Sequence, residues 1–244
     1  MRKYKLLPFI LILILITNMT YAQQTIENDV FETDNGKLEL WFIGHGTLMF
    51  KYNEMIIHID PVSREADYSM LPDADLILIT HEHGDHLDPG AIGKIMKNDT
   101  RIICNKASSS ALDNCGIMSN GDKLEHRGIG IEAVPAYNMV NERSPGKPWH
   151  PRGNGNGYVL DLGGKKVYVA GDTENIPEMK ELGDIDIAFL PMNLPYTMSP
   201  EMAAQAALMI KPDILYPYHF GSGNTGELVK LLDGTGIDVR IRKF

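Results

Sequence analysis

Residues 81–86 read His-Glu-His-Gly-Asp-His and so place four candidate metal ligands, His81, His83, Asp85 and His86, within six positions. Imidazole nitrogens and carboxylate oxygens are donors that a borderline ion such as Zn²⁺ accepts, and a cluster without cysteine leaves positions open for water, as catalytic sites require. Alternation along an extended segment sends His81 and His83 to one side, where they can share an ion, while Asp85 and His86 turn toward a second. Gly84 is expected to let the backbone make that turn. Asp172 in Gly171-Asp172-Thr173 and His219 in Tyr218-His219-Phe220-Gly221 each follow a strand-like run. A lone Asp there is often a helix cap and a lone His often solvated, but strand ends are where ligand sites gather.

The elements that must hold these residues alternate along the chain in an α/β layout, with Pro and Gly between them. Strands are expected over residues 38–42, 47–52, 55–59, 75–80, 101–104, 129–135, 157–162, 166–170, 185–190, 214–218 and 237–241. Asn53-Glu54 forms the tight turn between the second and third of these. Helices are expected over 89–97, 107–114, 176–182, 200–210 and 225–232. The stretch 136–156 has no periodic pattern and carries Pro145, Pro148 and Pro151 around Trp149-His150. Loops of that length in a compact domain tend to be functional.

The 244 residues carry a net charge of −9, which disfavours a nucleic-acid partner because phosphate binding needs a basic surface. A cationic start at Arg2, Lys3 and Lys5 precedes an apolar run over 6–16 and the small-residue pattern ending at Ala22. This reads as a signal peptide over residues 1–22, with 23–244 as the mature domain, exported to the periplasm or secreted. An uncleaved anchor is the competing reading, although the run is shorter than the roughly 20 apolar residues of a span. Once the leader is cut, no stable membrane span is expected. Cys104 and Cys115 could pair in such a compartment or pack as small hydrophobes.

The cluster matches His-x-His-x-Asp-His, and with Gly44-His45-Gly46-Thr47, Ile59-Asp60-Pro61, the segment at Asp172 and the segment at His219 the mature chain resembles the metallo-β-lactamase superfamily. Those segments look like the branch with ascorbate-6-phosphate lactonase and N-acyl phosphatidylethanolamine phospholipase D enzymes. The resemblance implies an αββα sandwich with metals at one edge of two sheets. It implies two zinc ions, with Mn²⁺ or another divalent metal as alternatives. His81 and His83 would hold the first ion, Asp85, His86 and His219 the second, and Asp172 would bridge them. The third histidine of the first site is missing, because the family's Pro-Ala-x-His appears here as Pro135-Ala136-Tyr137-Asn138. His150 could substitute, line the substrate pocket or be exposed. His45 stands as an additional site candidate, His58 reads as structural, and Asp60 is expected to orient a metal-bound histidine.

The implied chemistry is attack by a metal-bound hydroxide on an ester-type small molecule, a lactone or phosphodiester, with Asp85 and Asp172 as catalytic carboxylates. No Gly-x-Ser-x-Gly elbow suggests a serine route. A metal- or ligand-binding module with weakened or lost catalysis is the alternative, motivated by Asn138. Trp149, Tyr137, Tyr196 and the methionines of 192–198 suggest an apolar or amphipathic substrate. Oligomeric state leaves no mark on the sequence.

Overall fold

The strand-forming runs condense into two seven-stranded sheets, described in a computed structural model over residues 26–244. The leader expected over 1–22 lies outside the described residues. The first sheet takes its strands in sequence order: β1 (Glu27–Thr33), β2 (Gly36–Gly44), β3 (Thr47–Tyr52), β4 (Met55–Ile59), β5 (Leu76–Leu78), β6 (Arg101–Cys104) and β7 (Gly116–Ile117). Pairing is antiparallel from β1 to β4 and parallel from β4 to β7. The chain continues through β8 (Lys123–His126) and β9 (Ile129–Ala136), a separate two-stranded ribbon of β10 (Glu142–Ser144) and β11 (Lys147–Pro148), then β12 (Gly155–Leu162) and β13 (Lys165–Val169). It ends with β14 (Ile187–Pro191), β15 (Ile214–Tyr218) and β16 (Asp238–Val239). The second sheet runs β8-β9-β12-β13-β14-β15-β16, antiparallel as far as β13 and parallel beyond. Both sheets thus follow one plan, a meander joined to parallel strands.

Burial explains why the parallel strands read as unbroken apolar runs: every residue of β5 and β14 is buried, as expected where both sheet faces are covered. The inner faces meet around Leu40, Phe50, Leu78, Tyr158, Phe189 and Tyr216. Helices α2 (Pro200–Ile210) and α3 (Thr225–Leu231) help cover the outer face of the second sheet, and α1 (Pro89–Ile95) that of the first. The result is the αββα sandwich expected from the sequence. Local chemistry sets the helix starts. Asp88 accepts from the backbone N–H of Gly90 and Ala91 ahead of α1, Ser199 accepts from Met202 ahead of α2, and a proline occupies the first helical position of each.

Several expected elements differ. Residues 107–114 and 176–182 form only short 3₁₀ turns, at Ser108–Ala111 and Pro177–Glu181. In the first, the hydroxyls of Ser109 and Ser110 donate to carbonyls three residues back and compete with a regular helix. The second is closed by Gly183, at φ +74°. The strands expected over 75–80 and 237–241 shorten to β5 and β16, and β1, β7, β8, β10 and β11 carried too few apolar residues to be read. The sulfurs of Cys104 and Cys115 are joined, with Cα atoms 6.2 Å apart. Among the described residues no helix is long and apolar enough to cross a membrane.

His58, in β4, is wholly buried, and its Nε2–H donates to the Pro72 carbonyl at 3.0 Å. Burial, opposed by that hydrogen bond, lowers its pKa to about 4. Between that value and the ordinary one near 6.5 the unfolded chain binds the extra proton, so stability rises with pH across this window and is lost as pH falls through it. The loss from this residue should be roughly 3 kcal/mol. Chemical denaturation of His58→Leu should show a shallower acid limb than the parent between pH 6.5 and 4; parallel limbs would contradict the assignment.

Candidate metal centre

Seven segments meet at one edge of the sandwich, mostly where strands end. His45 lies in the β2–β3 turn, Asp60 after β4, residues 81–86 after β5, Asn138 after β9, His150 after β11, Asp172 after β13 and His219 after β15. The backbone is strained there. His45, Asp60 and His219 hold φ values of +46°, +47° and +48°, a region that residues other than glycine seldom adopt. Gly171 sits at φ +64°, and a Cβ there would lie 2.8 Å from the Asn156 carbonyl oxygen, so only glycine lets Asp172 take its place. Gly84 behaves differently from expectation: its φ is not positive and nothing crowds it. The turn is closed by backbone bonding instead, with His86 N–H donating to the His83 carbonyl at 2.9 Å.

His81, His83 and His150 form the first group. His81 Nε2 and His83 Nδ1 are 3.1 Å apart, and His150 Nε2 is 3.3 Å from Asp172 Oδ2. A second set faces the other oxygen of Asp172: His86 Nε2 and His219 Nε2 stand 3.4 and 3.5 Å from Oδ1. Asp85 Oδ2 lies 3.5 Å from His219 Nε2 and 3.4 Å from His45 Nε2. His81, His83 and His150 each offer one ligand atom within 4.8 Å of the others, and so do His81, His86 and Asp172, and His45, Asp85 and His219. Two nitrogens each about 2.0–2.1 Å from a tetrahedral ion stand about 3.3 Å apart, so these separations suit a shared ion. The contacts of His86, His150 and His219 with Asp172 are not hydrogen bonds. Nε2 of His86, His150 and His219 and Oδ1 of Asp172 are buried without a hydrogen-bond partner among the described residues.

The donor set therefore fits divalent cations. The protonation states of His81, Asp172 and Asp85 agree with that. Burial first, then the neighbouring His86, hold His81 well below its ordinary pKa and hence neutral. Burial would raise Asp172, but the facing His219 and His86 outweigh it and keep the carboxylate ionised. Burial likewise opposes Asp85, but the facing His219 and His45 prevail and hold it far below the carboxylate range. Burial would lower His86, but Asp172 and Asp60 outweigh it and push it well above its usual value, so a cation would have to displace the proton on Nε2. Its Nδ1–H donates to Asp60 Oδ2 at 2.8 Å, leaving Nε2 to face Asp172. Asp60 is fixed in turn by the Thr80 N–H at 2.8 Å and the Thr80 hydroxyl at 2.5 Å. Asp60 thus has the orienting geometry expected of it.

Asn138 turns its side chain to His150, Glu174 and Tyr196 instead of joining the ligand cluster. Its Oδ1 accepts the backbone N–H of His150 at 2.9 Å and the ring Nδ1–H of His150 at 2.6 Å, which leaves Nε2 turned toward Asp172. Its own N–H₂ donates to Glu174 Oε1 at 3.1 Å and the Tyr196 carbonyl at 2.9 Å. Glu174, fully buried, also accepts the backbone N–H groups of Met139, Val140 and Asn141 at 2.8, 2.9 and 2.7 Å. One carboxylate therefore pins the loop that aims His150. The sequence offered Glu174 only as the residue two after Asp172, with no signal of this role. Glu82 bonds Asn105 and Asn154 instead of the ligand atoms.

The pattern of a beta-lactamase superfamily domain matches residues 39–219, most of the chain, and the chain belongs to that superfamily. It is 34% identical over 197 residues to the UPF0173 metal-dependent hydrolase PYRAB05000 of Pyrococcus abyssi, across 74% of this chain and 84% of that one. A crystal structure described as a metal-dependent hydrolase of Parabacteroides distasonis superposes with a TM-score of 0.86 at 52% identity, covering 90% of this chain and 99% of that one. A metallo hydrolase of Ignicoccus hospitalis shares the fold at TM-score 0.68 and 23% identity, over 84% and 95% of the two chains.

Disturbing the Glu174–Asn138–His150 chain should empty the first group selectively. His150→Ala should lower the divalent metal bound per chain, since an open catalytic metal site such as that of zinc typically uses three protein ligands. Glu174→Ala and Asn138→Ala should weaken zinc affinity by about 10- to 100-fold, the usual effect of losing an outer partner. Titration with a chromogenic chelator reads both. Unchanged stoichiometry in His150→Ala would remove His150 from the metal centre.

Proposed function

We propose that this protein is a metal-dependent hydrolase that holds two zinc ions and cleaves an ester-type small molecule, a lactone or a phosphodiester. One observation carries the reading: unpartnered, buried nitrogens of His86, His150 and His219 converge on an unpartnered oxygen of Asp172. His81, His83 and His150 would hold one ion, Asp85, His86 and His219 the other, with Asp172 between them and His45 beside Asp85. The names of the relatives support the class of activity.

Bound there, the ions would supply a water acidified to a pKa near 7 and a Lewis acid for the substrate oxygen. The chain's own residues do the rest. Asp172 and Asp85 remain ionised, and the short contacts of Asp85 to imidazoles run through Oδ2, so its Oδ1 is the group to accept a proton during turnover. Asp60 and Asn138 hold His86 and His150 in the tautomers that present Nε2. A cavity of about 540 Å³, walled in part by Trp149, Asn193 and Tyr196, opens over Asp85 and Asp172 and is large enough for a small substrate. The reading of the chain as a binding module rests on a first site left incomplete at Asn138, and the place of His150 beside His81 and His83 supports the hydrolase reading over it.

Asp172→Asn should abolish hydrolysis across a panel of lactone and phosphodiester substrates and reduce bound zinc, while circular dichroism stays native-like. Full activity in that variant would overturn the assignment.

The leader pattern over residues 1–22 and the joined Cys104–Cys115 pair support work in an oxidising, exported compartment. Mass spectrometry of the protein from its native cells should give an amino terminus at Gln23; a cytoplasmic protein beginning at Met1 would contradict it.

A further inference from the structure

We infer that the substrate carries an anionic group, a carboxylate or a phosphate, received by Arg143 at the mouth of the catalytic cavity; this deepens the hydrolase reading and rests on it. The chain as a whole is acidic at −9, yet the cavity wall presents Arg64 and Arg143. The carboxylates lining the same wall, Asp85 and Asp172, face the imidazoles. Arg64 is engaged by Glu65 at 2.9 Å. Arg143 makes no ion pair among the described residues, and its guanidinium lies over the Trp149 ring, 5.8 Å from the centroid. Trp149 in turn meets Tyr196 edge to face at 4.8 Å. The cation is thus placed by an aromatic surface, which orients it without using up its N–H donors.

Trp149 itself lines this cavity. The chain fixes the spacing as well: Arg143 lies in β10, and Trp149 and His150 follow its pairing partner β11 directly. One short ribbon therefore ties the anion-binding cation to a candidate metal ligand. Tyr137, which the sequence offered as a pocket wall, turns its hydroxyl to Glu178 instead. The cavity suits an amphipathic anion, its apolar part on Trp149 and Tyr196 and its charge on Arg143.

The test compares p-nitrophenyl butyrate with mono-p-nitrophenyl succinate, acyl groups of equal length that differ in a terminal carboxylate, on the zinc-loaded protein. The succinate ester should be preferred in kcat/KM. Arg143→Met should reduce that preference about tenfold, the scale of one charge-assisted hydrogen bond. Arg143→Lys should retain part of it. Lys123→Met, which removes an equal charge from β8, should retain all of it. A preference unaffected by Arg143→Met would overturn the inference while leaving the hydrolase reading intact. Failure of both esters to react would count against the ester-hydrolase reading alone, because calorimetry on the protein as purified tests Arg143 separately. There phenyl phosphate or phenylacetate should bind about tenfold more weakly to Arg143→Met, and whichever binds more tightly identifies the anion. Equal binding to parent and variant, or no binding of either to the parent, would overturn it.

Discussion

Asp172 is a carboxylate with 4% of its surface exposed, approached by imidazole nitrogens of His150, His86 and His219 at 3.3, 3.4 and 3.5 Å. Buried charge is tolerated only where it is paired, bonded or bound to metal, and here the facing atoms lack the geometry of hydrogen bonds. Cations between them would resolve that constraint. The strained turns at His45, Asp60 and His219 and the glycine at 171 follow from it, since each brings a ligand or its support into a crowded edge. A few kcal/mol of backbone strain persists only where the surroundings over-determine it. Two packed seven-stranded sheets supply that rigidity.

The support for the ligands is organised as two carboxylate hubs. Asp60 joins the end of β5 to His86, through Thr80 on one side and the imidazole on the other. Glu174 joins the residues after β13 to the loop after β9, and through Asn138 to His150. Both are buried, and both act on an ion only through a histidine. This arrangement lets the first group draw a ligand from the long connection between β9 and β12. That connection also carries Arg143 and Trp149, so one segment reaches both the candidate metal centre and the cavity beside it.

The sequence was most informative where chemistry is dense. The cluster at 81–86 could be read from spacing and the α/β layout from the alternation of apolar runs, while the sandwich and the places of Asp172 and His219 came with the family resemblance. Weak strands were lost because β1, β8 and the β10–β11 ribbon are half exposed and lack a continuous apolar signal. The role of His150 could not be chosen from the chain alone. It depends on a carboxamide 12 residues earlier and a glutamate 24 residues later, which only folding brings together. Position 138 looked like a lost ligand because the resemblance supplied a histidine there. In space it is the acceptor that holds the replacement.

The central claim, that this edge of the sandwich holds two cations around Asp172, is tested most directly by anomalous diffraction at the zinc edge from crystals grown with zinc. The account predicts two peaks, one among His81, His83 and His150 and one among Asp85, His86 and His219, both beside the Asp172 carboxylate. No peak beside Asp172, or a single peak with the His150 ring turned away, would contradict it.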